Sequence, residues 1–286
     1  MQKSTIQLLR FHFSFFLMPI YWFALSQVPE INWLNAFIVF IVLHVLVYPA
    51  SNGYNSYMDR DETAIGGLEQ PMQPTLQLFV VTVVMDSIAV LLSLLVSIYF
   101  SIGVLLYILV SRAYSYRGIR LKQYPFIGFL TVVIFQGGVT YWLVYHGCSE
   151  TLTTSAPWPT ILAASCLIGG FYPLTQIYQH EADKADGVTT ISYVLGYRGT
   201  FIFTAIIYIV SFGLLAYWFV SSLQITGFVL LQLFFIPTLL YFFYWANKVW
   251  KDSAAANFKH TMQMNLIASV CTNLAFITIL ILNLFE

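Results

Sequence analysis

Asn55, Asp59 and Glu62 stand at positions i, i+4 and i+7 of the stretch NSYMDRDETAIGGLEQPMQ (55–73), and Gln179, Asp183 and Asp186 repeat that spacing in QHEADKADGVTT (179–190). On a continuing helix, residues so spaced share one face. Each stretch lies where a long hydrophobic segment gives way to a polar loop, and each is followed by glycine: Gly66 and Gly67 in the first, Gly187 in the second. Crowded carboxylates repel and raise one another's pKa unless a cation neutralises them. Facing oxygen clusters are what hard divalent cations such as Mg²⁺ prefer, and Mg²⁺ held by one or two carboxylates then recruits a phosphate-bearing ligand. A third stretch, RAYSYRGIRLKQYP (112–125), supplies the opposite sign. Arg117, Arg120 and Lys122 are spaced to reach a diphosphate, arginine by bidentate bonds and lysine as a point charge. Taken singly, each stretch also reads as ordinary loop polarity or as positive charge facing anionic headgroups.

The elements that must position these residues are membrane spans. The chain has 286 residues, 59% hydrophobic and only 8% charged, against roughly 25% charged in soluble domains. Apolar runs near the ~20 residues needed to cross a bilayer fall at 12–27, 34–52, 77–96, 98–115, 125–146, 158–178, 200–220, 225–247 and 262–284. The pattern predicts an all-α polytopic membrane protein of about nine transmembrane helices, with the boundary between the third and fourth near Ser97 to Ser101 the least marked. Lys3 and Arg10 precede an apolar run as in a secretory signal, but no small-residue cleavage site follows near Ser26, so the run reads as a span.

Lysine and arginine fall on one side of this nine-span arrangement. Lys3 and Arg10 precede span one, Arg60 follows span two, Arg112, Arg117, Arg120 and Lys122 surround the loop 4–5, Lys184 and Arg198 the loop 6–7, and Lys248, Lys251 and Lys259 the loop 8–9. By the positive-inside rule the N-terminus and these loops are cytoplasmic. The C-terminus is then on the opposite side, and both acidic stretches share one face. Zero net charge gives no electrostatic ground for a nucleic-acid partner. The three cysteines, Cys148, Cys166 and Cys271, are scattered without CxxC spacing and read as free thiols.

Polar residues inside or at the ends of spans raise a separate question. Asp86 lies within span three, where an ionisable group is costly and points to function or to a paired packing role. His44, Asn265 and Asn273 pose the same alternative, while His180 and His260, near the cytoplasmic ends, read as solvated. Aromatic residues make up 18% of the chain. Interfacial belts account for most of them, and aromatic faces also stabilise cations.

At these residues the chain resembles the UbiA superfamily of intramembrane prenyltransferases over most of its length. That family carries an NDxxDxxxD motif after its second helix and a DxxxD motif followed by a GxxT-like segment after its sixth. Here the first matches at Asn55 and Asp59 and departs at Ser56 and Thr63; the second matches at Asp183, with Gln179 replacing the leading aspartate, and continues Gly187 to Thr190. The flanks GLEQPMQP (67–74), YSYRGIRLK (114–122) and ISYVLG (191–196) are also similar to family segments. The resemblance implies a single UbiA-like domain over 1–286, a helical bundle around a central cavity, and Mg²⁺-dependent ionisation of a prenyl diphosphate. A lipophilic acceptor, an aromatic or quinone precursor, would attack C1 of the resulting allylic cation. It implies that Asn55, Asp59 and Asp183 hold the metal–diphosphate and that Arg120 and Lys122 contact phosphate.

Glu62 and Asp186 are read as replacing the acids lost from the motifs, with Asp61 and Glu181 as their alternatives. The candidate catalytic residues are thus Asp59, Asp183 and Lys122. The substrate-binding set is Asn55, Tyr114, Arg117, Arg120, Lys122 and Gln179, and the metal set is Asn55, Asp59, Glu62, Asp183 and Asp186. Partners are a prenyl diphosphate, its acceptor and membrane lipid, with no nucleic acid. The motif departures keep two other readings open: a terpene cyclase on the same scaffold, and a non-catalytic lipid-binding or transport relative.

Overall fold

The computed structural model describes residues 1–285 of the chain. Nine helical rods carry the fold: α1 (Lys3–Ser26), α2 (Trp33–Asp59), α3 (Leu76–Ser93), α4 (Ile98–Ser115), α5 (Pro125–Cys148), α6 (Trp158–Gln176), α7 (Ile191–Ser221), α8 (Ile225–Lys251) and α9 (Phe258–Phe285). Eight are long and apolar enough to cross a membrane. The remaining one, α6, has 19 residues, about 28 Å at 1.5 Å per residue. It interrupts its apolar run with Thr160, Ser165, Thr175 and Gln176 and with the glycine pair Gly169 and Gly170. Consecutive rods pack in succession and α9 returns to α1, closing a ring.

Local chemistry sets the boundaries. Asn32 caps α2 by accepting from the Asn35 N–H at 3.0 Å, and Ser97 caps α4 by accepting from the Phe100 N–H at 2.9 Å. The Ser97 cap resolves the break between the third and fourth spans, since α3 ends at Ser93 and a turn intervenes. Proline opens α5 at Pro125, where its missing N–H is no loss. The outward faces are apolar: Leu76, Val80, Val83, Val84 and Leu91 of α3 are all exposed. Such a surface suits lipid, not water.

Two departures from regular helix shape the interior. α2 and α5 each contain a wide π segment, Ile41–Val47 and Val133–Val139. The second carries Gln136 to the wall of a central cavity and brings α5 against α6. A Cβ on Gly137 would fall 2.5 Å from the Ser165 Cα, so only glycine admits this approach. α1 is also composite. Arg10 adopts a left-handed conformation (φ 47°) between Lys3–Leu9 and the 3₁₀ turn Phe11–Phe16. That break turns its guanidinium onto the carbonyls of Gly66 (3.0 Å) and Asn52 (3.2 Å).

A candidate active site between two acidic segments

α2 runs past its apolar part to Asp59, so Asn55 and Asp59 do sit one turn apart on a helix. The Asn55 Nδ2 donates to Asp59 Oδ2 and to Ser115 Oγ, both at 2.9 Å. Arg60 then turns left-handed (φ 56°) and its N–H closes on the Ser56 carbonyl at 3.0 Å. The helix therefore ends before Glu62, whose i+7 position never forms. Glu62 is exposed and lies outside the cavity lining, whereas Asp61 lines it. Of the two acids read as alternatives in the first segment, Asp61 therefore lines the cavity and Glu62 does not.

The second segment folds as a short helix, His180–Ala185, between α6 and α7. Gly187 (φ 73°) stops it, and the Val188 N–H returns to the Asp183 carbonyl at 2.8 Å, a glycine-closed helix end. Gln179, Asp183 and Asp186 all line the cavity, while Glu181 is exposed and outside it. His180, expected to be solvated, is buried. Its Nε2 lies 2.8 Å from Ser192 Oγ and its ring stacks on Tyr197, while burial pulls its pKa down to about 4. It fixes the short helix to the start of α7.

Basic residues from the loop after α4 join the two segments. Lys122 Nζ pairs with Asp59 Oδ2. Arg120 pairs with Asp186 Oδ2, donates to the Asp186 carbonyl at 2.8 Å, and lies 3.8 Å from Asp59 Oδ1. Arg117, half-exposed, donates to the Met58 carbonyl at 2.8 Å and reaches Asp186 Oδ1 at 3.5 Å. Gln179 Nε2 adds a bond to the Ala64 carbonyl at 3.2 Å. Of the expected basic contacts Lys122 lines the cavity, while Arg117 and Arg120 brace its acidic wall from behind. Tyr114 also lines the cavity, its hydroxyl bonded to that of Tyr172.

The cavity, about 270 Å³, thus collects four carboxyl groups, Asp59, Asp61, Asp183 and Asp186, at one rim. Burial first, then the neighbouring aspartates, push the Asp183 carboxyl up to about 7 against the pull of Lys122. The same causes push Asp61 to about 6, opposed by Lys122 and Arg10. Asp59 keeps one oxygen, Oδ1, buried without a hydrogen-bond partner. A site that holds carboxyls near the protonation boundary and leaves a buried carboxylate oxygen without a hydrogen bond, with Arg120 at 3.8 Å, is short of positive charge. Its all-oxygen donor set suits a hard divalent cation. Among the described residues no group of three or more His, Cys, Asp or Glu side chains is gathered closely enough to hold an ion by itself. Apolar and aromatic side chains, Phe13, Phe16, Leu17, Ile168 and Phe171, also line the cavity.

Arg10, Tyr172, Gln176 and Tyr178 also line the cavity, and none stands out as a site residue in the sequence. Arg10 sits at the left-handed break before the turn Phe11–Phe16, Tyr178 follows the end of α6, and Tyr172 and Gln176 lie on the last turns of α6. Asp86 is accounted for differently. Arg112 pairs with it, its Nε at 2.9 Å, and lies over the Tyr54 ring at 3.9 Å, so the intramembrane carboxylate is a tie between α3 and α4.

The model of the UbiA prenyltransferase family matches residues 16–267. The chain belongs to that family. Among solved structures it is similar to a UbiA homologue from Archaeoglobus fulgidus bound to GPP and Mg²⁺ (TM-score 0.73, 19% identity, covering 97% of this chain and 99% of that one). It is also similar to the apo structure of a UbiA homologue from Aeropyrum pernix K1 (TM-score 0.68, 17% identity, 94% and 98% covered). A third, digeranylgeranylglyceryl phosphate synthase, aligns at TM-score 0.62 with 18% identity and 98% of both chains covered. A search of the curated proteins by sequence matches none. The family and the all-helical fold thus agree with what the motifs led one to expect.

Proposed function

We propose that this UbiA-family chain is a Mg²⁺-dependent prenyltransferase that moves a prenyl group from a prenyl diphosphate to a lipophilic, aromatic or quinone-precursor acceptor at the cytoplasmic rim of the bundle. The observation that carries this reading is the convergence of Asp59, Asp61, Asp183 and Asp186 with Lys122 on one cavity also lined by apolar and aromatic side chains. The magnesium and GPP in the Archaeoglobus fulgidus homologue support the choice of ligand. Asn55, Asp59, Asp61, Asp183 and Asp186 would hold Mg²⁺ jointly with the diphosphate. When bound, the metal supplies charge that stabilises the departing diphosphate.

The chain's own residues do the rest. Lys122 and Arg10 offer phosphate oxygens their positive charge, and Arg117 and Arg120 keep the second acidic segment in place. The bond from C1 to the bridging oxygen breaks with its electron pair on the diphosphate, and the acceptor's nucleophilic atom bonds to C1. The proton the acceptor gives up goes to the diphosphate, the most basic group released. Phe13, Phe16, Phe171 and Tyr172 exclude water from the allylic cation, and their ring faces favour it electrostatically.

Purified protein incubated with prenyl diphosphates of several lengths, Mg²⁺ and a membrane-lipid extract should give a prenylated acceptor and free diphosphate by mass spectrometry. Prenyl diphosphate recovered intact would mean a non-catalytic lipid binder, and an acceptor-free hydrocarbon or terpenol would mean a cyclase.

A further inference from the structure

A second cavity, about 230 Å³, lies between α7 and α8 and shares no lining residue with the first. Ala205, Ile209 and Phe212 of α7 and Leu239, Phe242 and Phe243 of α8 line it. Ile209, Leu239 and Phe243 are also exposed on the outside of the bundle, so the cavity is a groove open to the bilayer. On α8 the lining runs from Gln232 to Phe243, about 17 Å at 1.5 Å per residue. That is roughly half of the ~30 Å hydrocarbon core, the depth that the acyl chains of one leaflet fill.

Both helices carry the face of this groove on to the end of the bundle that holds the acidic segments. Arg198, Ala205, Ile209 and Phe212 stand at i, i+7, i+11 and i+14 on α7, and Leu239, Phe243, Ala246 and Trp250 at i, i+4, i+7 and i+11 on α8. Such spacings keep to one side of a helix. The two faces meet where Arg198 Nη2 donates to the Trp250 carbonyl at 2.8 Å and the Trp250 ring lies edge-on to Phe201. Trp250 stands about 10 Å beyond Phe243 along α8, at headgroup level, where tryptophan is enriched. Arg198, Trp250 and Lys251 are all exposed there. Between Gly187 and Phe285 the chain has four basic side chains, Arg198, Lys248, Lys251 and Lys259, and one acid, Asp252, whose Oδ1 accepts from the Ala254 N–H at 2.9 Å. Among the described residues none of these four bases is in an ion pair, whereas Arg117, Arg120 and Lys122 are all tied to aspartates.

An uncharged lipid would leave this free positive charge unused, and a phosphatidylcholine would bring its own ammonium beside Arg198 and Lys251. We infer that the groove between α7 and α8 is a binding site for one anionic phospholipid of the leaflet on the side of the acidic segments. Arg198 and Lys251 hold its phosphate, Trp250 lies beside its glycerol backbone, and an acyl chain runs along Ala205, Ile209, Leu239 and Phe243. The assignment is independent of the prenyltransferase reading, because it uses no residue of the central cavity.

The test is native mass spectrometry of the full chain in detergent micelles, titrated with palmitoyl-oleoyl phosphatidylglycerol (POPG) or with the phosphatidylcholine of the same chains (POPC). The wild type should retain one POPG about twentyfold tighter than POPC. Arg198→Gln and Lys251→Gln should each cut that preference about fivefold, the weight of one basic side chain at a membrane surface. Should Arg198→Gln fail to fold, Lys251→Gln carries the same test. Ile209→Trp, which fills the groove from its exposed side, should weaken POPG and POPC alike. Lys3→Gln, a basic residue of α1 outside the groove, should leave the preference unchanged. A wild type without preference, variants at 198 and 251 that keep it in full, or an equal loss in Lys3→Gln would overturn the site. So would an Ile209→Trp variant that holds POPG as tightly as the wild type. Inorganic phosphate should not displace bound POPG; displacement by phosphate alone would mean an anion site without the groove and would overturn the assignment of a lipid.

Discussion

The two acidic segments carry the same residue types at the same spacing and are held in opposite ways. Asp59 ends a long helix, its side chain only 4% exposed, and is fixed by Asn55 from its own helix and by Lys122 from the next loop. Asp186 caps a short helix, its side chain 40% exposed, and is held by arginines that reach it from that same loop. The first segment is positioned by secondary structure and burial, the second by ion pairs. Identical carboxylates on one rim should therefore respond to substitution very differently. Buried charges lose several kcal/mol when a partner is removed, whereas exposed pairs are screened and lose far less.

The largest expected effect is at Asp59. Asp59→Asn leaves Lys122 and Arg120 facing each other without the carboxylate, and should cut diphosphate release about a thousandfold and lower thermal stability in detergent by about 3 kcal/mol. Asp183→Asn comes next, with about a hundredfold loss and a changed pH profile. With Asp183 raised to about 7 and Asp61 to about 6, protonation competes with the cation. Apparent Mg²⁺ affinity should therefore rise as pH rises through 6 to 7, and Asp183→Asn should remove the upper part of that rise. The same shifts have a sign for stability. Because both folded pKa values lie above the unfolded ones near 4, metal-free protein is most stable below pH 4 as far as these groups are concerned. That contribution is lost as pH rises through 6 and 7, and Mg²⁺ should restore it in a thermal melt at pH 8.

Smaller effects sharpen the contrast. Arg120→Lys keeps the charge but cannot span Asp59 and Asp186 together, and should cost about tenfold in rate. Glu62→Gln should leave diphosphate release within about twofold, while Asp61→Asn should lose about thirtyfold. Equal effects at 61 and 62 would mean the loop after α2 closes differently around substrate.

Much of this was legible in the chain. Eight of the nine rods followed from apolar length, with α6 falling short of it, and two spaced motifs with a basic loop on one side of the spans pointed to Asp59, Asp183 and Lys122, which line one cavity. What periodicity could not draw was where regular helix stops. Arg60 turns left-handed one residue after Asp59, so the face carrying Asn55 and Asp59 never reaches Glu62, and the acid that does reach the cavity is Asp61. Arg10 was hidden for the same reason: a break inside α1, not the spacing of its residues, points it inward. Asn265 was visible as a polar residue in a span, but only the closed ring shows that it lines the cavity.

The central claim is that both segments act on one diphosphate. It is tested most directly by measuring Mg²⁺-dependent diphosphate release from geranyl diphosphate, with a membrane-lipid extract as the source of acceptor, by the wild type, Asp59→Asn, Asp183→Asn and the double variant, each reconstituted in lipid. If the segments share the substrate headgroup, each single substitution abolishes most of the activity and the double variant is scarcely worse than Asp59→Asn alone. Full release from either single variant, or losses that multiply independently in the double, would contradict it.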